Sequence, residues 1–424
     1  MHRILKYPIV LLTVSLLWLS CAKDEVAPSE NSVQKIKVFQ DEEIFAVNGM
    51  VAGEGSILLV YTTNADTSYL KLTDNQGVEK WTVNASSNFG IQTTNYSAEG
   101  YLRKVIHENG VFTFFIQNGD NNLRILRIDK SGSVISEIEN FTNENTSSFK
   151  IFGVQLNSNG NYVLYGSITL GSDNRCYFAE ITPAGDVVFR SIYTPFGGGT
   201  KGFSGLEEID GGYYLGGYFR SNSQVVSSSI FLVEYSISGE LVSEEFVNTP
   251  ISNSDLFLNP FPVGRELIKN LNGSFSYLIS SNGSDQNSEP TLIFNFSNEG
   301  QFLDSNQIDF LEENYLPGIS PFFGEGIIKL RDGSHIGVGN ADFGSLLQDE
   351  TPGLTGFNPN YNNPRYSFIY ELNTTGQIAS YSYLQREVFN YISCLDKTSD
   401  GKIVAAGTSM SFGTKPQLSI LWLK

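Results

Sequence analysis

Thirteen tight-turn signatures, each ending on glycine, alternate in two series along the sequence and confine it to a repeated all-β design. The first series is a polar residue, then Gly, then an apolar strand, as in "EGSILLVY", "NGVFTFFI" and "DGKIVAAG". It recurs seven times, at Gly55, Gly110, Gly160, Gly211, Gly273, Gly333 and Gly401. Asn-Gly and Asp-Gly are favoured in two-residue hairpins, where both turn positions take positive φ. The second series recurs six times, as in "ILRIDKSGSVIS" and "FAEITPAGDVVF", at Gly77, Gly132, Gly185, Gly239, Gly300 and Gly376. The two series stay in strict alternation, with 22, 22, 25, 28, 27 and 43 residues between paired glycines.

Each unit of 50–68 residues therefore reads as four strands, A to D, with tight A–B and C–D turns. Repeated four-stranded units of this size indicate a β-propeller. Seven A–B turns give seven blades, and no helical stripe of convincing length interrupts them. The seventh unit stops at its strand C, "LSILWLK", while an alternating strand "VQKIKVFQ" (33–40) precedes the first strand A. Adding that segment as the missing strand D closes the ring and protects its sheet edges. The expectation is an all-β, seven-bladed propeller of four-stranded antiparallel blades spanning 33–424 as one domain, closed by an N-terminal strand.

In such a ring the A–B and C–D turns share one face, and the B–C loops and D–A links share the other. The second face carries the long, aromatic connections, such as "YTPFGGGTKGF" (193–203), "ENYLPGISPFF" (313–323) and the segment 341–367. Binding is expected where the scaffold is elaborated. Phe196, Phe322, Phe343, Phe357, Tyr361 and Tyr366 supply flat surfaces there, with Lys201 and Arg365 as nearby cations. Pinning of the loops to the blades is the competing role for these aromatics.

The charge balance limits the partners. There are 27 Lys and Arg against 45 Asp and Glu, a net of −18. Such a surface repels phosphate backbones, so nucleic acid is not an expected partner.

No catalytic signature is present. His107 and His335, the two histidines after residue 20, both sit at A–B turns. No His-x-x-x-His or Cys-x-x-Cys pair, Gly-x-Ser-x-Gly elbow or phosphate loop occurs. The cluster "NGDNN" (118–122) offers oxygen ligands but lacks the spacing and closing Glu of an EF-hand loop, so no metal or cofactor is expected. Acidic residues are numerous enough that a carboxylate pair for glycoside cleavage stays open. Cys176 and Cys394 lie in apolar strands of different units and are expected as buried free thiols.

The N-terminus gives an address. Arg3 and Lys6 precede the uncharged run "IVLLTVSLLWL" (9–19), too short for a bilayer span of about 20 residues and suited to a secretory signal. Ser20-Cys21 after this run resembles a bacterial lipoprotein processing site, with Trp18 where Leu is usual. The resemblance implies a signal peptide over 1–20, cleavage before Cys21, and acylation of Cys21 with fatty acids such as palmitate. "AKDE" (22–25) resembles the Lys-plus-acidic segment of surface-exported Bacteroidota lipoproteins, implying an outer-membrane anchor facing the exterior. Residues 21–32 are polar and read as a lipidated, flexible tether. "LTDNQGVEKW" (72–81) resembles the repeat of quinoprotein-like propellers, but only this copy carries the Trp, Trp81, which argues against a quinone cofactor. The leading expectation is a non-catalytic surface lipoprotein that binds a glycan, a peptide or an outer-membrane protein. The alternative is a surface glycoside hydrolase or lyase with carboxylates in the central funnel.

Overall fold

A computed structural model describes residues 33–63, 67–93, 99–119, 122–142, 148–195, 199–220, 229–248, 265–279, 291–308, 320–342, 365–384, 391–409 and 416–423. Seven four-stranded antiparallel blades form a propeller. Strand β1 (Val33–Gly53) is shared, and blade 1 continues with β2 (Ser56–Thr63), β3 (Ser68–Asp74) and β4 (Glu79–Asn84). Blade 2 holds β5 (Glu99–Glu108), β6 (Val111–Asn118), β7 (Asn122–Asp129) and β8 (Val134–Thr142). Blade 3 holds β9 (Ser148–Leu156), β10 (Tyr162–Leu170), β11 (Asp173–Ile181) and β12 (Val187–Tyr193). Blade 4 holds β13 (Thr200–Ile209), β14 (Gly212–Arg220), β15 (Ser229–Ser236) and β16 (Leu241–Asn248). Blade 5 holds β17 (Arg265–Lys269), β18 (Phe275–Ile279), β19 (Thr291–Phe296) and β20 (Phe302–Ile308). Blade 6 holds β21 (Ser320–Lys329), β22 (His335–Asp342), β23 (Arg365–Leu372) and β24 (Ile378–Tyr383). Blade 7 holds β25 (Tyr391–Lys397), β26 (Ile403–Ser409) and β27 (Gln417–Leu423).

The ring closes as the sequence suggests. The first half of β1 pairs antiparallel with β27, Val33 opposite Leu423 and Val38 opposite Ser419. Its second half, Ile44–Gly53, then pairs with β2 as strand A of blade 1. Side chains reinforce the seam. The Trp422 indole N–H donates to the Asn75 carbonyl at 3.1 Å, and the Lys35 ammonium lies 4.6 Å from the Trp422 ring centre.

The core lies between blades. Successive residues of a strand point to opposite faces, and both faces of each strand B are covered. In β2, Ile57, Leu59 and Tyr61 join a cluster with blade 7, while Leu58 and Val60 join one with blade 2. In β10, Tyr162 and Leu164 face blade 2, and Val163 and Tyr165 face blade 4. This double burial explains why the B strands read as unbroken apolar runs instead of alternating ones.

The turns agree in position with the sequence pattern and differ in type. All thirteen glycines take positive φ, between 78° and 91°. Among the described residues only Glu54 and Asn109 are non-glycines with positive φ, so only Glu54-Gly55 and Asn109-Gly110 match the expected two-residue form. Most of the others are three-residue turns. In the turn after β9, Gly160 N–H donates to the Asn157 carbonyl and Asn157 N–H to the Asn161 carbonyl. The Asn157 side chain also accepts from Asn159 N and Asn161 N. Asp74, Asp129 and Asn373 cap their own turns in the same way. In these turns the opening polar residue satisfies the turn's backbone, and glycine supplies the single left-handed position.

One five-residue helix, α1 (Ala85–Phe89), lies in the D–A link of blade 1, among the described residues. Cys176 and Cys394 are both buried, and neither is in a disulfide.

Candidate functional site: the long-loop face

The B–C connections are not uniformly long. Thr62 pairs with Ser68, Asn118 with Asn122, and Leu170 with Asp173, so blades 1 to 3 turn quickly on this face. The next three pairings, Phe219 with Ser229, Ile279 with Leu292 and Asp342 with Arg365, open much longer connections. Elaboration is therefore concentrated on blades 4 to 6.

The sequence-selected residues fall as follows. Phe322 pairs with Asn340, Tyr366 with Ala341 and Arg365 with Asp342, all at the loop-face end of blade 6. Lys201 lies at the loop-face end of β13 in blade 4. Phe196, Phe343, Phe357 and Tyr361 lie outside the described residues, as does Cys21.

Lys201 is fully buried, which differs from an exposed cation offered to a ligand. Its Nζ sits 3.6 Å from Asp173 Oδ1 and 6.0 Å from the centre of the Phe219 ring. Its backbone N–H donates to Asn174 Oδ1 at 2.7 Å. Arg175 pairs with the same Asp173 at 2.9 Å. The Arg175 hydrogen bond and the neighbouring Lys201 charge hold the Asp173 carboxyl below its usual range. This charge cluster fixes the blade 3–blade 4 junction. Cys176 lies beside it, its thiol pushed up by burial.

Side-chain clamps recur along the loop-face junctions. Gln117 at the end of β6 donates to the carbonyls of Asn122 and Phe149, holding the first strand of the next blade. Asn340 in β22 does the same to blade 7, donating to the Ile392 carbonyl at 2.6 Å and accepting from Ile392 N–H at 2.8 Å. Thr62, Asn48, Ser68 and Thr93 form a buried hydroxyl–amide network at the equivalent point of blade 1.

The inner strands carry carboxylates that sequence reasoning did not single out. Glu207 in β13 accepts the Lys269 N–H of β17 at 2.8 Å. Glu266 in β17 accepts the Gly326 N–H of β21 at 2.7 Å. Asp396 in β25 accepts the Ala52 N–H of β1 at 2.7 Å. Burial raises the carboxyls of Glu207 and Asp396 from their ordinary values, against the opposing pull of these N–H donors. Gln155 makes a similar cross-blade bond, donating to the Leu206 carbonyl at 3.0 Å. Gln155, Glu207 and Asp396 each stand just ahead of an A–B turn, a shared position that aligning the seven units would have exposed.

The two histidines stand at the opposite, tight-turn face. Burial, with the Lys329 charge next, depresses His335 to about 4. His107 is also lowered, chiefly by burial. Among the described residues, no group of three or more His, Cys, Asp or Glu is placed to hold a metal ion.

No protein-family model matches the sequence, and a search of curated proteins finds no match. Solved structures do resemble it. The polysaccharide lyase Uly1 aligns with a TM-score of 0.54 at 9% identity, over 93% of this chain and 100% of its own. What the two share is the fold. A Bacteroides caccae protein of unknown function aligns at a TM-score of 0.38 and 13% identity, over 71% of this chain and 86% of its own. The Pyrococcus horikoshii acylaminoacyl peptidase aligns at 0.45 and 10% identity, over 89% of this chain and 51% of its own.

Proposed function

We propose that the protein is an outer-membrane surface lipoprotein, acylated at Cys21, whose propeller is a non-catalytic binding or accessory module. Its partner is a glycan, a peptide or an outer-membrane protein, engaged by the loop face of blades 4 to 6. The observation that carries this reading is the engagement of the inner-strand carboxylates. Glu207, Glu266 and Asp396 each hold a backbone N–H of the neighbouring blade. A general acid and base would instead need carboxyl groups aimed at a substrate position. The elaboration of one face against uniformly tight turns on the other supports binding through the loops.

A surface glycoside hydrolase or lyase is the second reading, favoured by the whole-chain likeness to a polysaccharide lyase. Two measurements separate them. The first is affinity purification from solubilised outer membranes, with a matched protein carrying Phe357→Ala, Tyr361→Ala and Arg365→Ala. The binding reading expects a stoichiometric partner, or retention on a glycan array, that the substituted protein loses. The second is release of reducing ends or unsaturated sugars from a polysaccharide panel. Turnover abolished by Glu207→Gln or Asp396→Asn in a folded protein refutes the binding reading.

A further inference from the structure

Exposed apolar side chains are not spread evenly over the molecule. Twelve large hydrophobic residues are exposed among the described ones, and ten of them lie in the tight turns or at the strand ends beside them. Those ten are 44–62% exposed. Six form three adjacent pairs, Val134–Ile135, Val187–Val188 and Leu241–Val242, at the starts of β8, β12 and β16. They make an arc across the outer rim of blades 2 to 4, on the turn face. A concentration of exposed aliphatic pairs at the same position of successive blades marks a contact surface more than single scattered residues do.

The closing strand ends on the same face. Strand β27 runs from the loop face to the turn face, and Val33 pairs with its last residue, Leu423. Whatever precedes Val33 therefore leaves the propeller from the turn face. The nearest upstream anchor is Cys21, separated by residues 22–32.

We propose that the turn face is the membrane-facing side of the anchored protein, with the aliphatic arc of blades 2 to 4 resting on lipid. The loop face then points away from the membrane, toward its partner. This inference rests on acylation of Cys21, as proposed above. A random coil of about eleven residues has a root-mean-square span on the order of 18 Å. A blade strand of eight residues, such as β6, stands about 26 Å tall. A coil of that length is shorter than the propeller is deep, and a link of that span brings the turn face to the membrane first. Full extension, roughly 38 Å, permits other poses, and contact of the aliphatic arc with lipid selects among them. The acidic net charge disfavours an anionic surface, so the contact is with apolar and zwitterionic lipid.

The test uses the full acylated chain in phosphatidylcholine vesicles containing a nitroxide-headgroup lipid. Ser238, in the C–D turn of blade 4, and Ser172, in the loop-face turn of blade 3, are both exposed. Each is changed separately to Cys and labelled with a fluorophore, while Cys176 and Cys394 stay protected by burial. The expected result is several-fold stronger quenching of the Ser238→Cys probe than of the Ser172→Cys probe. Val188→Asp with Val242→Asp, both at exposed sites, should equalise the two without detaching the protein. Equal or reversed quenching in protein whose acylation is verified by mass spectrometry overturns the orientation and leaves the anchor reading standing. A Ser238→Cys probe shielded by a second copy, shown by cross-linking, also overturns it. Absence of acyl chains on Cys21 in the native membrane overturns both.

Discussion

The packing of one blade's outer strand onto the next blade's turn can be measured with glycine substitutions. Gly239 and Gly401 both sit in tight turns at positive φ, 78° and 86°. A Cβ added at Gly401 meets nothing within 4 Å, whereas one at Gly239 runs into the ring of Phe189 from β12 of the preceding blade. Alanine in the left-handed region costs about 1–2 kcal/mol. Gly401→Ala should therefore destabilise by about that amount and no more. Gly239→Ala carries the same backbone penalty plus displacement of a packed ring, and overpacking typically adds about 1–3 kcal/mol. Its expected total is about 2–5 kcal/mol. Urea unfolding of both variants, followed by circular dichroism, gives the comparison. Phe189→Ala supplies a second test, because removing the ring makes room for the new methyl group. The Gly239→Ala/Phe189→Ala pair should then show a favourable coupling of about 1–3 kcal/mol relative to the sum of the single changes. Equal losses for Gly239→Ala and Gly401→Ala, or zero coupling, would refute the docking role of Phe189.

Three further outcomes follow from buried charged and titratable groups. Lys201→Ala should cost about 2–5 kcal/mol, chiefly through the void left by its buried stem, since Asp173 is partly exposed and keeps Arg175 as a partner, while Lys201→Met should cost clearly less; calorimetry of the two variants checks the order. Burial holds His335 at about 4 in the folded chain, so the unfolded chain takes up its proton first as pH falls below the ordinary value near 6.5. Stability contributed by the neutral imidazole is present above pH 6.5 and is lost toward pH 4, and His335→Leu should remove a pH-dependent loss of about 2–4 kcal/mol over that window, read from urea midpoints at both ends. Asp396 has the opposite sign: its raised carboxyl means the folded chain binds the proton more readily, so stability is gained as pH falls through the folded value and the charge costs stability at pH 7. Asp396→Asn keeps an oxygen for the Ala52 N–H and should be as stable as the parent or more so at pH 7, the difference vanishing near pH 3; a constant difference across that range would show that the charge is not the cause.

Blade number, turn positions and the closing strand were legible because each depends on local backbone chemistry. A glycine at a left-handed position and an alternating strand can be read one unit at a time. The turn type was misjudged because Asn-Gly fits both two-residue and three-residue turns. The difference lies in the capping residue three positions before the glycine, such as Asn157 before Gly160. Lys201 was legible as a loop-face residue. Its burial was not, because the covering groups, Asp173 and Phe219, come from a neighbouring blade and the adjacent strand. The cross-blade partners of Glu207 and Asp396 depend on ring closure in the same way. The packing role of Trp81 is also shared by residues of other types. Trp81 packs over Gly132 of the next blade, but Ile138 fills the same role over Gly185, and Phe189 over Gly239. The space requires an apolar side chain and does not require tryptophan.

That tolerance extends to a set of the polar contacts between blades. Side-chain pairs such as Thr113–Tyr162 and Asn157–Tyr213 join some blades, and a second set of cross-blade bonds is aimed at backbone atoms. Glu207 and Asp396 accept N–H groups of Lys269 and Ala52, and Gln117 donates to the Phe149 carbonyl. Asn340 binds both backbone groups of Ile392, and Trp81 and Trp422 donate to the carbonyls of Lys130 and Asn75. Every residue except proline presents the same backbone groups, so the receiving blade can change its side chain to any of these without breaking the bond. Only the blade that supplies the side chain must keep a residue of suitable reach, and each junction meets that need differently. At these bonds the receiving strands are therefore free to carry different side chains. It follows that Lys269→Ala, which keeps the N–H accepted by Glu207, should be far milder than Glu207→Ala. The latter leaves that N–H without its partner at a cost of about 1–3 kcal/mol, and near-equal urea midpoints for the two variants would contradict the backbone-directed account.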